Sequence, residues 1–495
     1  MSHWIIAPVV LPAFVAALIL FTPRLGSISA RGLALAANAA LVALAVALLV
    51  SASETPPQVY RLGDWPAPFG IVLVLDRLAA LMLALTAGLS LLVLIHAIIT
   101  GWDIRGRRFH ALWLFQLMGL NGAFLTGDAF NLFVFFEVLL IASYGLMVHG
   151  GTGPRIRAGL QYIAVNLVGS TLFLFALATL YSVTGTLNMA DLAVKLPQLP
   201  AGDHALIRVA AVLLMLVFAV KGALVPLHFW LPGTYAAAPG VVAALFAVMT
   251  KVGAYAALRF GTLVFPPDLV ATAGLIGPLI LPAALVTLVL GAIGVLGARS
   301  LPLIAAFAAL ASMGTVFIAL STFTPIATAA MLFYLVHSTV AGALLFLVAD
   351  LARDRGAATL SAHSPALPGR LALLYLIAAI ATAGLPPLSG FLGKLLVLQS
   401  QPGPTALVWG VILVTSFLVL LGLSRTGSAL FWKPQGTPPP LPLAQAAIPM
   451  ALAAATVALT LGAGPVHAWL LATAEALHIP FAYIHTNALP GLTGP

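Results

Sequence analysis

FNLFVFFEVLLIASYGLM, residues 130–147, is an apolar run with one charged side chain, Glu137, in its interior. About 20 mostly apolar residues let a helix cross ~30 Å of hydrocarbon. Glu137 stands nine residues past Asp128, ~13 Å along a helix that rises ~1.5 Å per residue. A carboxylate is thereby placed near mid-membrane. An ionisable group there costs ~2.5–3.5 kcal/mol on insertion scales, so it usually faces protein or a wet cavity.

The rest of the chain agrees. Of its 495 residues 62% are hydrophobic and only 7% charged, with a mean hydropathy of +1.14, whereas a water-soluble chain carries about a quarter charged residues. Apolar runs predict an all-α integral membrane protein, one polytopic membrane domain over residues 1–495, with about fourteen spans. They fall near residues 4–22, 33–51, 71–100, 109–126, 128–149, 157–183, 206–228, 235–260, 270–297, 302–321, 326–349, 371–400, 404–431 and 441–463. No ten-residue alternation recurs, which excludes an outer-membrane barrel. Met1–Leu20 has no Lys or Arg ahead of its apolar stretch and reads as a first span rather than a signal peptide. Residues after 463 read as a short tail. Connections are short, with turn residues at Gly150–Pro154, Pro266-Pro267 and Pro434–Pro442.

Basic residues set the orientation. Loops after odd-numbered spans hold Arg24, Arg31, Arg105, Arg107, Arg108, Arg155, Arg157, Arg299, Arg353, Arg355, Arg370, Arg425 and Lys433, thirteen in all. Loops after even-numbered spans hold four: Arg61, Lys195, Arg208 and Arg259. The positive-inside rule puts the odd loops in the cytoplasm and, with an even span count, both termini outside. The formal charge of +9 is thus a topology signal scattered over loops, not a nucleic-acid surface.

Lysine is placed differently from arginine. Sixteen Arg lie in loops or near span ends, whereas three of only five Lys lie deep in apolar runs. They are Lys221 in MLVFAVKGALVPL, Lys251 in LFAVMTKVGAYAAL and Lys394 in LSGFLGKLLVL. Arginine suits a static pair because it stays charged; a desolvated lysine can bind and release a proton near neutral pH. Three cations facing one carboxylate, Glu137, cannot all be neutralised by pairing. His337, mid-span in MLFYLVHSTVAGALLFL, suits a relay between the lysines. His96, His110 and His149 read as interfacial, and His228 sits near a helix end. Asp76-Arg77 reads as an adjacent pair at the start of the third span.

Two spans are interrupted alike. Span seven contains Lys221 to Pro226 and on to Pro232; span twelve contains Gly384, Pro386-Pro387, Gly390 and Lys394. Setting Pro226 on Pro387 aligns PLHFWLP with PLSGFLG. Proline frees backbone carbonyls, tolerable at this depth only inside protein or beside water. Paired broken helices in two halves point to a transporter of inverted repeats. The absence of Cys excludes disulfides and thiolate metal sites, no HxxxH spacing suggests a metal, and no GxxxxGK[ST] loop suggests ATP. No cofactor is expected.

FNLFVFFEVLLIASYGLM, KGALVPLHFWLP, the Lys251-Val-Gly-Ala-Tyr255 run and GLPPLSGFLGKLL, in this order, resemble the antiporter-like subunits of the complex I and Mrp superfamily over nearly the whole chain. Within it the chain is most similar to the D-subunit family of bacterial multisubunit monovalent cation/proton (Na+ or K+) antiporters. HSTVAGALLFLVAD (residues 337–350) resembles the variant described as a potassium/proton system. The resemblance implies two inverted five-helix repeats, spans 4–8 (residues 109–260) and 9–13 (residues 270–431), with helices 7 and 12 broken. It implies Glu137 and Lys221 as a charge pair, Lys251 as connector, and His337 and Lys394 completing a proton path. Many relatives carry Lys near the position of Gly342, so this axis has one cation fewer. The implied activity is secondary ion transport in a bacterial inner membrane, beside other antiporter subunits, with H+ and a monovalent cation as cargo. The alternative is a proton-pumping subunit of complex I or of a membrane-bound hydrogenase.

Overall fold

In lipid every backbone polar group has to be satisfied within its own segment, so long apolar runs become helices. The computed structural model describes residues 2–22, 26–357, 359–360, 365–403, 406–433 and 440–489. Arg24 and most of the Pro434–Pro442 loop (residues 434–439) lie outside the described residues.

The first half holds α1 (Ala7–Phe21), α2 (Ser27–Glu54), α3 (Arg77–Ile99), α4 (Phe109–Leu125), α5 (Ala129–Met147) and α6 (Gly153–Thr184). Short α7 (Met189–Lys195) precedes α8 (His204–Lys221), α9 (Trp230–Ala237) and α10 (Gly240–Arg259). The second half holds α11 (Ile276–Gly297), α12 (Leu301–Leu320), α13 (Pro325–Arg353), α14 (Gly369–Ala383), α15 (Ser389–Gln399), α16 (Ala406–Gly427), α17 (Leu443–Leu461), α18 (Ala463–His478) and α19 (Phe481–Thr486). Among the described residues eleven helices are long and apolar enough to cross a membrane, and α1, α4, α14 and α15 are shorter apolar helices. The chain is a multi-pass, all-helical membrane protein.

Local sequence sets the helix ends. Asp76 caps α3 through Ala79 N, Asp128 caps α5 through Asn131 N, and Thr324 caps α13 through Ala327 N, each side-chain oxygen taking an amide that the helix cannot satisfy. Glycines set the closest approaches. Cβ atoms added at Gly119 and Gly291 would lie 2.6 Å from Leu139 N and 2.5 Å from Ala311 N, so α4 meets α5 and α11 meets α12 backbone to backbone.

The structure corrects the sequence reading in three places. The third apolar run does not begin as helix: Val72–Leu75 (β2) pairs antiparallel with Gln58–Arg61 (β1), with Tyr60 opposite Leu73. The residues after 463 are not a simple tail, since α18 packs on α13, where Thr328 Oγ1 lies 3.0 Å from His478 Nε2. Asp76 and Arg77 are not a pair: Asp76 binds Arg259, while Arg77 donates to Ser53 O at 2.7 Å and lies over the Trp469 ring.

α10 is the pivot of the bundle. Every residue from Gly240 to Arg259 is buried, and the helix packs on α3, α8, α12 and α13. Its N-terminus is held by Asp350, whose Oδ1 accepts from Gly240 N at 3.1 Å and whose Oδ2 accepts from Trp102 Nε1 at 2.6 Å. Arg353 completes the shell of that carboxylate.

Candidate functional site

The break after α8 positions the first lysine. Lys221 is the last residue of α8; Pro226 and Pro232 follow, and α9 resumes at Trp230. Backbone groups released by the break find partners: Val220 O accepts from Trp230 Nε1 at 3.0 Å, and Val225 N donates to Thr287 Oγ1 at 2.9 Å. Lys221 is 7% exposed. Its Nζ donates to Asn166 Oδ1 at 3.0 Å and lies 5.9 Å from the Phe136 ring centre.

Glu137, on α5, accepts a hydrogen bond from Ser170 Oγ. Asn166 and Ser170 are four residues apart on α6 and therefore share a face. Glu137 and Lys221 thus converge on one turn of α6, and no direct ion pair joins them among those described. A cavity of about 20 Å³ lies beside Lys221, lined by Asn166, Tyr162, Trp230 and Phe136 among others. That is room for a water molecule.

Lys251 occupies the middle of α10 and is 2% exposed. Its Nζ donates to Ser312 Oγ at 3.4 Å and lies 3.2 Å from Met313 Sδ, both on α12. α10 reaches the α8 break closely: a Cβ at Gly253 would lie 2.6 Å from Gly222 N and from Phe218 O. One helix therefore touches the Lys221 break and carries the next lysine toward the second half.

The second break works differently. Gly384 ends α14 at φ 79°, a left-handed conformation open to glycine, and the Lys394 stem lies over it, with Cδ 2.7 Å from where a Cβ would be. Lys394 Nζ donates to Ala383 O, freed at the break, and to Ser416 Oγ on α16, both at 2.8 Å. His337, 2% exposed on α13, has Nδ1 2.8 Å from Ser389 Oγ at the start of α15. A cavity of about 30 Å³ joins these groups, lined by Ser312, His337, Gly342, Thr382, Lys394 and Ser416 among others. A Cβ at Gly342 would meet only Ala247 Cβ, at 4.0 Å, so this position opens on free space.

The five residues singled out from the sequence thus fall into two groups. Glu137 and Lys221 meet on α6; His337 and Lys394 meet around the α14–α15 break; Lys251, through Ser312, stands between them. Sequence reasoning missed the neutral partners Asn166, Ser170, Ser312, Ser389 and Ser416. Their only mark is a hydroxyl or amide within an apolar run. Of the other histidines, His110 binds Asp103 and His149 binds Trp102 O. His96, three residues from the end of α3, is fully buried in the protein, with neither ring nitrogen partnered among the described residues. No cluster of three or more His, Asp or Glu suited to a metal occurs among the described residues.

Comparison with known proteins adds to this geometry. Residues 126–422 match the family described as NADH:quinone oxidoreductase/Mrp antiporter, TM. The D subunit of a probable K(+)/H(+) antiporter from Rhizobium meliloti (strain 1021) is 37% identical over 523 residues, covering 98% of this chain and 97% of the relative. The D subunit of a Na(+)/H(+) antiporter from Bacillus subtilis (strain 168) is 38% identical, covering 89% of each. A chain of the Mrp complex from Dietzia sp. DQ12-45-1b superposes with a TM-score of 0.87 at 27% identity, over 98% of this chain and all of that one.

Proposed function

The chain belongs to the D-subunit family of Mrp antiporters, and from that premise we propose that it is the proton-translocating subunit of a multisubunit monovalent cation/proton antiporter in a bacterial inner membrane. Its partners are the other subunits of that complex. Its cargo is H+, exchanged for Na+ or K+ moved by the assembly.

The arrangement of three deep ammonium groups carries this reading. Each is held by neutral acceptors: Lys221 by Asn166, Lys251 by Ser312, Lys394 by Ser416 and the Ala383 carbonyl. A buried charge without a counter-charge is costly, and for an ammonium group release of its proton relieves that cost. Acceptors of this kind also bond a neutral amine. The contacts therefore persist through a cycle of protonation.

In the proposed cycle a proton reaches the Glu137–Ser170 end of α6 and changes the charge facing Lys221. Lys221 passes its proton toward Lys251 across the junction of α8 and α10. Ser312 and the cavity around Gly342 carry it to His337 and Lys394. At Gly342 water takes the place of a side chain, consistent with the open space there.

The same reading assigns fourteen spans. Eleven long helices, α1, α4, and α14 joined with α15 across their break make that number, with α9 completing the span that α8 begins. The repeats are residues 109–260 and 270–431, and both termini face outside the cytoplasm. Supporting the repeat, α4 packs on α5 as α11 packs on α12, and a broken helix follows in each half.

Replacing Glu137 with Gln, or Lys221 with Ala, in the assembled complex tests the assignment. Proton-coupled cation exchange in membrane vesicles should fall at least tenfold with normal assembly. Wild-type exchange in an assembled Glu137→Gln complex would overturn it.

A further inference from the structure

We infer that the cavity between α3, α10 and the α18–α19 pair is the outer mouth of a second proton route, which runs along one face of α10 to Lys251 through Asp76, Arg259 and Tyr255. This rests on the relay proposed above and adds an exit that the relay itself does not contain.

Lys251, Tyr255 and Arg259 are spaced four residues apart on α10 and share one face. Tyr255 OH donates to Phe124 O at 2.5 Å and accepts from Arg259 Nη2 at 3.4 Å. Arg259 grips Asp76 with both terminal nitrogens, at 2.6 and 2.9 Å. Beyond the pair lies a cavity of about 520 Å³, lined by Asp76, Arg259, Thr262, Ala476 and Tyr483 among others. Arg259 is 4% exposed, and its buried Nε has no hydrogen-bond partner among the described residues. A guanidinium nitrogen left in this way calls for water, and the cavity is where water would stand.

The cavity opens beside the loops after α2 and α10, the even-numbered connections with few basic residues. By the positive-inside reasoning this is the external face. The cavity is also far larger than the pockets beside Lys221 and Lys394. α10 therefore carries a titratable chain from a solvent-sized opening to a mid-membrane lysine.

Arg259 keeps its proton under all ordinary conditions, so it is the fixed charge of the route and not a carrier. A proton leaving the Lys251 ammonium passes to water; the Tyr255 hydroxyl takes a proton from that water as it turns its own, donated to Phe124 O at rest, to water on the cavity side. The acceptor at the far end is the Asp76 carboxylate or water in the cavity. While Arg259 forks Asp76, the guanidinium repels an arriving proton. The closed pair thus limits leak, and loosening it opens the path.

The absence of Cys from the chain makes the test direct. In the assembled complex, Ala476→Cys puts a thiol in the cavity wall, and Glu475→Cys puts one beside it but off the wall. Both are treated with a bulky, cationic, membrane-impermeant methanethiosulfonate from the external side, with labelling followed by mass and wild-type complex treated in parallel. Labelled Ala476→Cys should lose at least tenfold in exchange while labelled Glu475→Cys keeps the wild-type rate. Tyr255→Phe, which keeps the ring and removes the hydroxyl, should lose at least fivefold. A thiol at 476 that the reagent cannot reach, or full labelling with unchanged exchange, overturns the mouth. Wild-type exchange in Tyr255→Phe overturns the route. If Glu137→Gln stops exchange while these variants do not, the relay stands and this inference alone falls.

Discussion

Gly253→Ala isolates the junction between the first lysine and the second. An added Cβ would sit 2.6 Å from Gly222 N and Phe218 O and 3.0 Å from Lys221 C. Ordinary packing separates such atoms by about 3.5–4.0 Å, so α10 has to retreat by roughly 1 Å. All three obstacles are backbone, and Phe218 O and Gly222 N are already bonded to each other at 2.8 Å, so no side chain can swing away. Overpacking of this kind costs about 1–3 kcal/mol. Alanine's better helix propensity returns about 1 kcal/mol. The expected net loss is about 0–2 kcal/mol, read as a lower apparent Tm of the purified complex. Because Lys251 rides on the displaced helix, exchange in proteoliposomes should fall several-fold more than stability does. Gly342→Ala is the matched control: its Cβ meets only Ala247 Cβ at 4.0 Å, so it should leave stability unchanged or raise it by up to the same ~1 kcal/mol, read as an unchanged or higher Tm. A Gly253→Ala complex with wild-type Tm and exchange, or a Gly342→Ala complex as unstable as the first, would refute the reasoning.

Three further outcomes are expected. Gly390→Ala drives a methyl against Ala381 O and to within 2.8 Å of His337 Nε2; it should cost about 1–3 kcal/mol and disturb the His337–Ser389 contact, seen as a loss of Tm together with slowed exchange. Lys394→Arg keeps a charge at the α14–α15 break but supplies one that does not titrate; the complex should assemble and lose at least tenfold in exchange, and retained exchange would mean that Lys394 has no proton-carrying role. The loop residue Asp103 is buried, which pushes its carboxyl upward, but hydrogen bonds and charge from Arg31 and His110 hold it below the usual carboxylate range. Its stabilisation is therefore present above about pH 4, its ordinary value, and is lost as pH falls through the lower folded value. Asp103→Asn should cost about 1.5–3 kcal/mol at neutral pH, with a gap from wild type that narrows in acid, measured as Tm against pH.

Hydropathy carried much of the architecture. Apolar length marked the membrane-crossing helices, eleven of them long enough to span among the described residues, and Pro226, Pro386 and Pro387 stand in the two breaks, because a missing donor is a local property of the chain. Val72–Leu75 was not legible as a strand. A short apolar run has the same composition in a strand as in a helix, and it is the partner Gln58–Arg61 that decides. α18 was missed because Glu475, His467 and His478 lower its hydropathy, while its packing on α13 comes from tertiary contact. Arg259 counted as a loop charge by position and proved to be buried against Asp76, 183 residues away in the chain. The deep Glu137 and lysines were legible one by one, since charge in an apolar run is conspicuous. Their relation was not: that Glu137 and Lys221 meet on α6 through Ser170 and Asn166 depends on helix rotation, which an almost uniformly apolar sequence leaves unmarked.

The division between arginine and lysine gains a structural meaning from these contacts. Three of the five buried aspartates among the described residues are gripped by arginine: Asp76 by Arg259, Asp103 by Arg31, Asp350 by Arg353. A carboxylate facing a guanidinium holds both charges fixed, which serves cohesion between helices. The one described lysine pair, Lys195 with Asp191, lies one turn apart on the short helix α7, with Lys195 exposed. Lys221, Lys251 and Lys394 bind amide, hydroxyl and carbonyl oxygens instead. Such oxygens accept from an ammonium and from a neutral amine alike, and the Ser170 hydroxyl can likewise serve Glu137 in either state by turning its proton. An aspartate beside any of these lysines would hold the ammonium form in place and stop the cycle. Among the described residues no carboxylate pairs directly with these lysines, which is what the proposed proton carriage requires.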